Sequence, residues 1–239
     1  MIKTNLPVIL LKGIVLLPNN DIRLEFSNED SKSIIDVSEL FHDNQILVVT
    51  TTEPFEKLKT SKLPKIGIIS KISHKMELPN GKTRVIITGQ KRAQIHEYLN
   101  LNNNFEVLES IVSSIVEEQI EPQEEQVTIK KVYNEIENCV KNIPNMSNSV
   151  LALIINSTDL SKMTDIIAPF LPIDSNRLNE YLIQTKSIER AKMILEDLYK
   201  EKELYEIDKK IDADIKKTLD DNQREFILRE KIKIIKKQL

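Results

Sequence analysis

From Ile173 to Leu239 the chain holds not one Gly or Pro that would interrupt a helix, and nothing else in the sequence limits the fold as strongly. Ser187 reads as an N-cap, with Glu189 and the strong helix former Ala191 in the first turn. Apolar residues then recur three and four apart through Ile188, Ala191, Leu195 and Leu198, then Leu204, Ile207, Ile211, Ile215 and Leu219, then Leu228, Ile232, Ile235 and Leu239. Glu196 with Lys200 and Glu225 with Arg229 stand as acid-then-base pairs in the favourable helical order. One helix over this stretch is roughly 80 Å long at ~1.5 Å per residue. Its distal half is therefore expected to leave its own domain.

With 239 residues, 40% of them hydrophobic and 30% charged, the chain is long enough for two small cores. A net charge of -3 supplies no general pull towards nucleic acid or acidic lipid. Cys139 is the single cysteine, so no internal disulfide and no thiolate metal site is expected, which suits a reducing, cytoplasmic setting. The apolar run from Leu6 to Pro18 after Lys3 imitates a signal peptide. Lys12 interrupts it, Pro7 and Pro18 bracket it and no small-x-small site follows, so it reads as strands. No other run approaches the length of a membrane helix, and no membrane partner is expected.

The first half alternates like a sheet. Leu6 to Leu11, Ile14 to Leu17, Ile22 to Phe26 and Ile46 to Thr51 read as short strands, with a helix from about Asn28 to Phe41 burying Ile34, Ile35, Val37 and Leu40. A polar loop follows from Thr52 to Lys62, then a strand from Ile66 to Leu78 in which Ile72, His74, Met76 and Leu78 share one face. Pro79-Asn80-Gly81-Lys82 is a hairpin signal, because Asn and Gly tolerate the positive φ of a type I′ turn. Thr83 to Thr88 returns, Gly89 is expected to turn the chain, and strands over Arg92 to Tyr98 and Phe105 to Val116 close the series. Many closely spaced strands with one helix imply a small barrel or folded sheet.

At Glu117 acidic residues gather around Pro122 and the alternation stops, marking a boundary after residue 116. Helical spacing follows over Val127 to Val140 and Leu151 to Ile155, then in a helix capped by Asp159 and ended by Pro169 and Pro172, and over Leu178 to Ile183. With the near half of the long helix these make a bundle over 117–205, inside an α+β chain whose long helix occupies 187–239.

Catalytic chemistry is missing from the inventory. Gly13, Gly67, Gly81 and Gly89 are the only glycines and none opens a phosphate-binding loop. His42, His74 and His96 lie far apart without a metal-ligand pattern, and His74 is expected in the core. No catalytic residue, metal or cofactor is expected in this chain, which should not be an enzyme by itself.

Gln223-Arg224-Glu225-Phe226-Ile227-Leu228-Arg229-Glu230 resembles the Q-R-E-[YF]-x-L-R-E segment of ATP-dependent Lon proteases. The likeness extends to Leu6-Pro7-Val8 with Pro18, to Gly89, Arg92 and Ala93 as the family's G-x-x-R-A, to Leu78-Pro79-Asn80-Gly81 and to Glu189-Arg190. It departs at Lys231, Ile232 and Leu219, where the family favours Gln, Leu and Met, swaps that preserve polarity. The resemblance implies a PUA-like β domain over 1–116, a helical bundle, and a long helix leading to an AAA+ ATPase module and a Ser-Lys protease module. ATP and Mg would be bound by that AAA+ module, beyond Leu239. It further implies recognition of unfolded or damaged proteins, support of a homohexamer and, in the full-length enzyme, ATP-dependent proteolysis in protein quality control.

Capturing many unfolded sequences requires exposed apolar surface, for which unbranched Met suits best. Pro18, Met76, Leu78 and Pro79 are the candidate substrate-binding residues, with Leu16 and Leu17 beside them; the competing assignment puts Leu16, Leu17 and Leu78 in the core. Phe226, Leu228, Ile232, Ile235 and Leu239 form a candidate stripe between protomers or modules, against the duller prospect of a frayed helix end. A stand-alone Lon N-domain adaptor and a nucleic-acid-binding PUA-like module remain as alternatives. Arg224, Arg229, Lys231, Lys233, Lys236 and Lys237 favour the latter, whereas the interrupting Glu225 and Glu230 and the scarcity of aromatics count against it.

Overall fold

A computed structural model describes residues 2–26, 29–51, 63–79, 81–99, 107–142 and 149–238, with the backbone alone at 29–32, 141–142 and 235–238. It divides into two compact units, Met1–Asp197 and Leu198–Leu239. The first begins with β1 (Thr4–Lys12), β2 (Asp21–Phe26), α1 (Glu29–Phe41), β3 (Gln45–Thr51), β4 (Ile66–Glu77), β5 (Thr83–Leu99) and β6 (Glu109–Ser114). The strands run in the order β2-β5-β4-β3-β1-β6, and β6 also pairs with β5, so a ring closes through β1, β3, β4, β5 and β6. Only β1 and β3 are parallel. Both are largely buried, as strands covered on two faces must be, and α1 lies against them. Leu6, Val8, Leu47, Val49, Ala93, Ile95 and Val112 form one core cluster from alternate positions of four strands.

Several sequence expectations change. Ile14 to Leu17 is not a strand, because Thr50 Oγ1 donates to Ile14 O and Gly13 N to Thr51 O while Leu16 and Leu17 sink into the core. Gly89 does not turn the chain but lies within the 17-residue β5. Its N–H donates to Asn20 O, its carbonyl accepts from Asn19 N, and a Cβ there would stand 2.4 Å from Leu17 O. Only a residue without a side chain lets the segment before β2 cross so closely. Leu40 is exposed because α1 ends beside it, and the shared face expected on β4 is broken: Ile72 pairs with Ile87 and His74 with Ile86 across a register irregularity, which turns His74 and Met76, both exposed, to the face opposite Ile72. The expected strand start at Phe105 and the loop Thr52 to Lys62 lie outside the described residues.

Helices follow as α2 (Pro122–Asn142), α3 (Ser149–Ile154), α4 (Leu160–Ile167), α5 (Ser175–Ile183) and α6 (Ser187–Gln238). Asp159 caps α4 by accepting from Lys162 N at 2.9 Å, and Asp174 caps α5 by accepting from Arg177 N at 2.8 Å. Glu125 of α2 accepts from Leu160 N at 2.9 Å, tying the two helices together. Val132, Ile136 and Cys139 of α2 are buried along with Val150, Ile154, Met163, Ile167, Tyr181, Ala191 and Ile194. Helix α6 opens slightly before the expected cap, since Arg190 N already donates to Lys186 O.

Candidate functional site

Beyond Lys71, β4 continues with β5 and β2 as a three-stranded ribbon. Met76 sits opposite Arg84 on its outer face and is 59% exposed. Arg84 is held by Glu25 of β2, through Nε at 2.9 Å, so the charge opposite Met76 is already paired. At the ribbon's tip, Leu78 N donates to Lys82 O at 2.8 Å and Gly81 takes φ 76, leaving Pro79 exposed and Leu78 half-buried. Lys75, next to Met76, reaches Glu39 at 2.9 Å and Asp36 at 3.1 Å on α1. The hydrogen bond to Glu39 is the main reason its pKa is raised.

Pro18 requires a correction. It is buried, not exposed, because the segment it belongs to is clamped across Gly89 and Asn20 Nδ2 donates to both Pro18 O and Asp165 O. Gly89 and Arg84 are five residues apart on β5, roughly 17 Å at ~3.3 Å per residue. The fold therefore does not bring Pro18 to Met76. Leu16 and Leu17 are core, while Met76 and Pro79 stand together with Leu78 at one tip.

A second cluster was missed from sequence. Arg92 Nη1 and Nη2 donate to both carboxylate oxygens of Asp165 at 2.8 and 2.6 Å, and its Nε and Nη2 donate to the Leu182 and Tyr181 carbonyls at the end of α5. Arg190 Nη2 donates to Glu117 at 3.0 Å and to Ser161 Oγ at 2.7 Å, its Nε to Thr164 Oγ1 at 3.1 Å and its Nη1 to Gln184 O at 3.0 Å. Both guanidinium groups and Asp165 are buried, and burial is the first cause of the lowered Arg190 pKa. Two arginines thereby satisfy orphan carbonyls at the close of α5 while joining barrel to bundle. In sequence Arg92 and Arg190 stood out only as matches to family motifs, and nothing near either of them shows that they meet at Asp165.

Catalytic geometry does not assemble among the described residues. His42 stands 4.0 Å from Glu109, His96 hydrogen-bonds Ser113 at 2.8 Å, and no group of His, Cys, Asp or Glu could hold a metal ion. A cleft of about 310 Å³ beside Glu118, Glu121, Glu124, Lys186 and Glu189 is lined by acidic groups, with Lys186 bridged to Glu118 at 3.1 Å. Among the described residues no helix is long and apolar enough to cross a membrane.

In the second unit, Leu204, Ile207, Ile211, Ile215, Leu219, Phe226, Leu228 and Ile232 are all exposed. At ~100° per residue the first six fall within a sector of about 120°, and Leu228 and Ile232 lie roughly 100° away from its centre. Phe226 thus belongs to the earlier row, not to the later one. Ile235 is helical with its side chain outside the described set, and Leu239 lies outside the described residues.

Comparison with known proteins gives a consistent picture. The Lon protease of Brevibacillus choshinensis is 29% identical over 99% of this chain, and Lon protease 1 of Bacillus subtilis (strain 168) is 25% identical over 100% of it. The chain spans 30% of the length of each of these curated relatives. Among solved structures, the N terminal domain of Mycobacterium avium complex Lon protease matches with a TM-score of 0.67 and 16% identity, covering 82% of this chain and 98% of that one, which supports the α+β fold. Residues 5–200 match the family model described as the ATP-dependent protease La (LON) substrate-binding domain, and the chain belongs to that family.

Proposed function

We propose that this chain is the non-catalytic, substrate-recognising part of an ATP-dependent Lon serine protease, holding unfolded or damaged protein segments for degradation. The match of residues 5–200 to a substrate-binding domain carries the reading. The exposed Met76 and Pro79 supply a sequence-tolerant contact, because an unbranched thioether adapts to many side chains. ATP and Mg would be bound by an AAA+ module, and peptide hydrolysis performed by a Ser-Lys module, in the full-length enzyme. Changing Met76 and Pro79 together to Ser is expected to weaken binding of a reduced, carboxymethylated protein at least fivefold, read by fluorescence anisotropy, with the melting temperature unchanged. Equal affinity in the double variant would remove the hairpin from the site.

A second part of the proposal concerns assembly. The two exposed apolar rows of α6 fit helix-to-helix packing between protomers of a homohexamer. Within the helix Arg229 donates to Glu225 at 2.5 Å and Lys233 to Glu230 at 2.6 Å, so acidic residues break the basic run and engage part of it, and a protein partner suits this surface better than a phosphate backbone. Leu228→Glu with Ile232→Glu is expected to lower the weight-average mass in sedimentation equilibrium. A mass identical to that of the parent would count against these positions.

A further inference from the structure

Among the described residues, β2 lies outside the ring of strands and keeps one side without a neighbouring strand. Every strand of the ring pairs with at least two others, β5 with three, whereas among the described residues β2 pairs with β5 alone. Among the described residues no backbone group outside β5 bonds to Asp21–Phe26. Such an edge presents a row of N–H and C=O groups to solvent, and natural sheets protect it with short strands, charged side chains, bulges, Pro or a covering element; β2 has the charges, in Asp21, Arg23 and Glu25.

β2 carries none of the backbone devices. Its six residues pair with Thr83 to Thr88 in unbroken register and include no Pro. The other exposed flank of the ribbon, on β4, also lacks Pro but differs in its register and in its ties to the rest of the fold. A register irregularity falls between Ile72 and His74, Ile72 N donates to Asn44 O, and Lys75 is tied to Asp36 and Glu39 of α1. Among the described residues the β4 flank is thus tied to α1 and to Asn44, and the β2 flank has no such tie.

The side chains of β2 add a second observation. Ile22, Leu24 and Phe26 share a face and are half-buried, while Asp21, Arg23 and Glu25 on the opposite face are exposed. On the half-buried face they continue the fully buried row Thr83, Val85 and Ile87 of β5, their direct partners being Ile87 for Ile22, Val85 for Leu24 and Thr83 for Phe26. The apolar row thus runs to the open edge and stops there, partly wet. An added strand would extend both the ladder and this row.

We propose that the open edge of β2 binds an extended segment of unfolded polypeptide as an additional β-strand, selecting apolar side chains at every second position. The proposal rests on the substrate-recognition reading above and gives it a mechanism. Backbone hydrogen bonds are common to all sequences, so affinity comes from a feature every unfolded chain has. The alternation needed beside Ile22, Leu24 and Phe26 is typical of strands that a folded protein buries and a damaged one exposes. Met76 lies on the outer face two strands away, roughly 10 Å at ~4.8 Å per strand, so a chain leaving the edge can reach the hairpin as well.

The test uses the whole chain and a fluorescein-labelled eight-residue peptide alternating Ile and Thr, with two further versions N-methylated at all Ile or at all Thr positions. Strand addition predicts that one methylated version binds at least tenfold more weakly and the other within about twofold of the parent, because only alternate residues turn their N–H towards β2. Equal affinities for all three peptides overturn the proposal. To locate the peptide, Arg23→Cys and Met76→Cys are each offered a peptide with a terminal cysteine, Cys139 being buried. Disulfide formation at Arg23→Cys supports the edge, and formation at Met76→Cys with none at Arg23→Cys overturns it. Binding that ignores methylation but falls in Met76→Ser leaves substrate capture standing without the edge, whereas failure of the peptides and of a carboxymethylated protein alike to bind removes both.

Discussion

Asp165→Ala is expected to lower the unfolding free energy by roughly 3–5 kcal/mol, the range found when one partner of a buried ion pair is removed. The carboxylate accepts two hydrogen bonds from Arg92 and lies 3.3 Å from Arg190 Nε, and all three side chains are buried. Removing it leaves two buried cations facing Glu117 alone, which is itself partly exposed. Desolvation that was offset by pairing then becomes uncompensated. Because a domain is stable by only about 5–15 kcal/mol, the variant should approach the threshold of folding at growth temperatures. Urea unfolding followed by circular dichroism measures the difference, and a loss below about 1 kcal/mol would mean that water reaches the cluster and screens it. Replacing Asp165 and Arg92 together by Leu and Met should cost less than Asp165→Ala, since an apolar pair leaves one charge fewer without a partner.

Gly89→Ala should cost about 3 kcal/mol, towards the upper end of what overpacking a core does. The new Cβ would stand 2.4 Å from Leu17 O and 3.2 Å from Leu17 C, so the backbone itself must move. That backbone cannot retreat freely, because Asn19 and Asn20 bond to Gly89 on both sides of the contact and Asn20 Nδ2 anchors to Asp165 O. Gly81→Ala is the control. It has φ 76 and nothing within 4 Å of the added carbon, so only the left-handed backbone penalty of about 1–2 kcal/mol applies. If both variants lose the same stability in thermal melts compared near Tm, the close crossing at Gly89 is not what restricts that position.

Much of the helical half was legible because its signals are local. Asp159 at its cap, Pro169 and Pro172 at the end of α4, and the Gly- and Pro-free run of α6 each act within one or two turns of the chain. The sheet was legible in pattern and less so in path. Gly89 reads as a turn in sequence, since a Gly between strand-like runs commonly is one. It proved to be a crossing point, and nothing near it in sequence reveals Leu17 overhead.

The candidate surface divides in the same way. The exposure of Met76 and Pro79 was legible because a hairpin tip is defined by its own residues. Pro18 was misplaced because its burial depends on Asn20 and Asp165, residues 145 apart. The open edge of β2 could not be read at all, for an edge is a statement about which strand is absent next to it.

Spacing within short windows and motif identity were enough for the helices, the alternating strands and the family. Only the tertiary structure decided which apolar residues remain in water, that Arg92 and Arg190 meet one carboxylate, and that β2 has a single neighbour. The reason is physical: propensity and periodicity are properties of a chain segment, whereas burial and ion pairing depend on the position of groups brought together by ring closure.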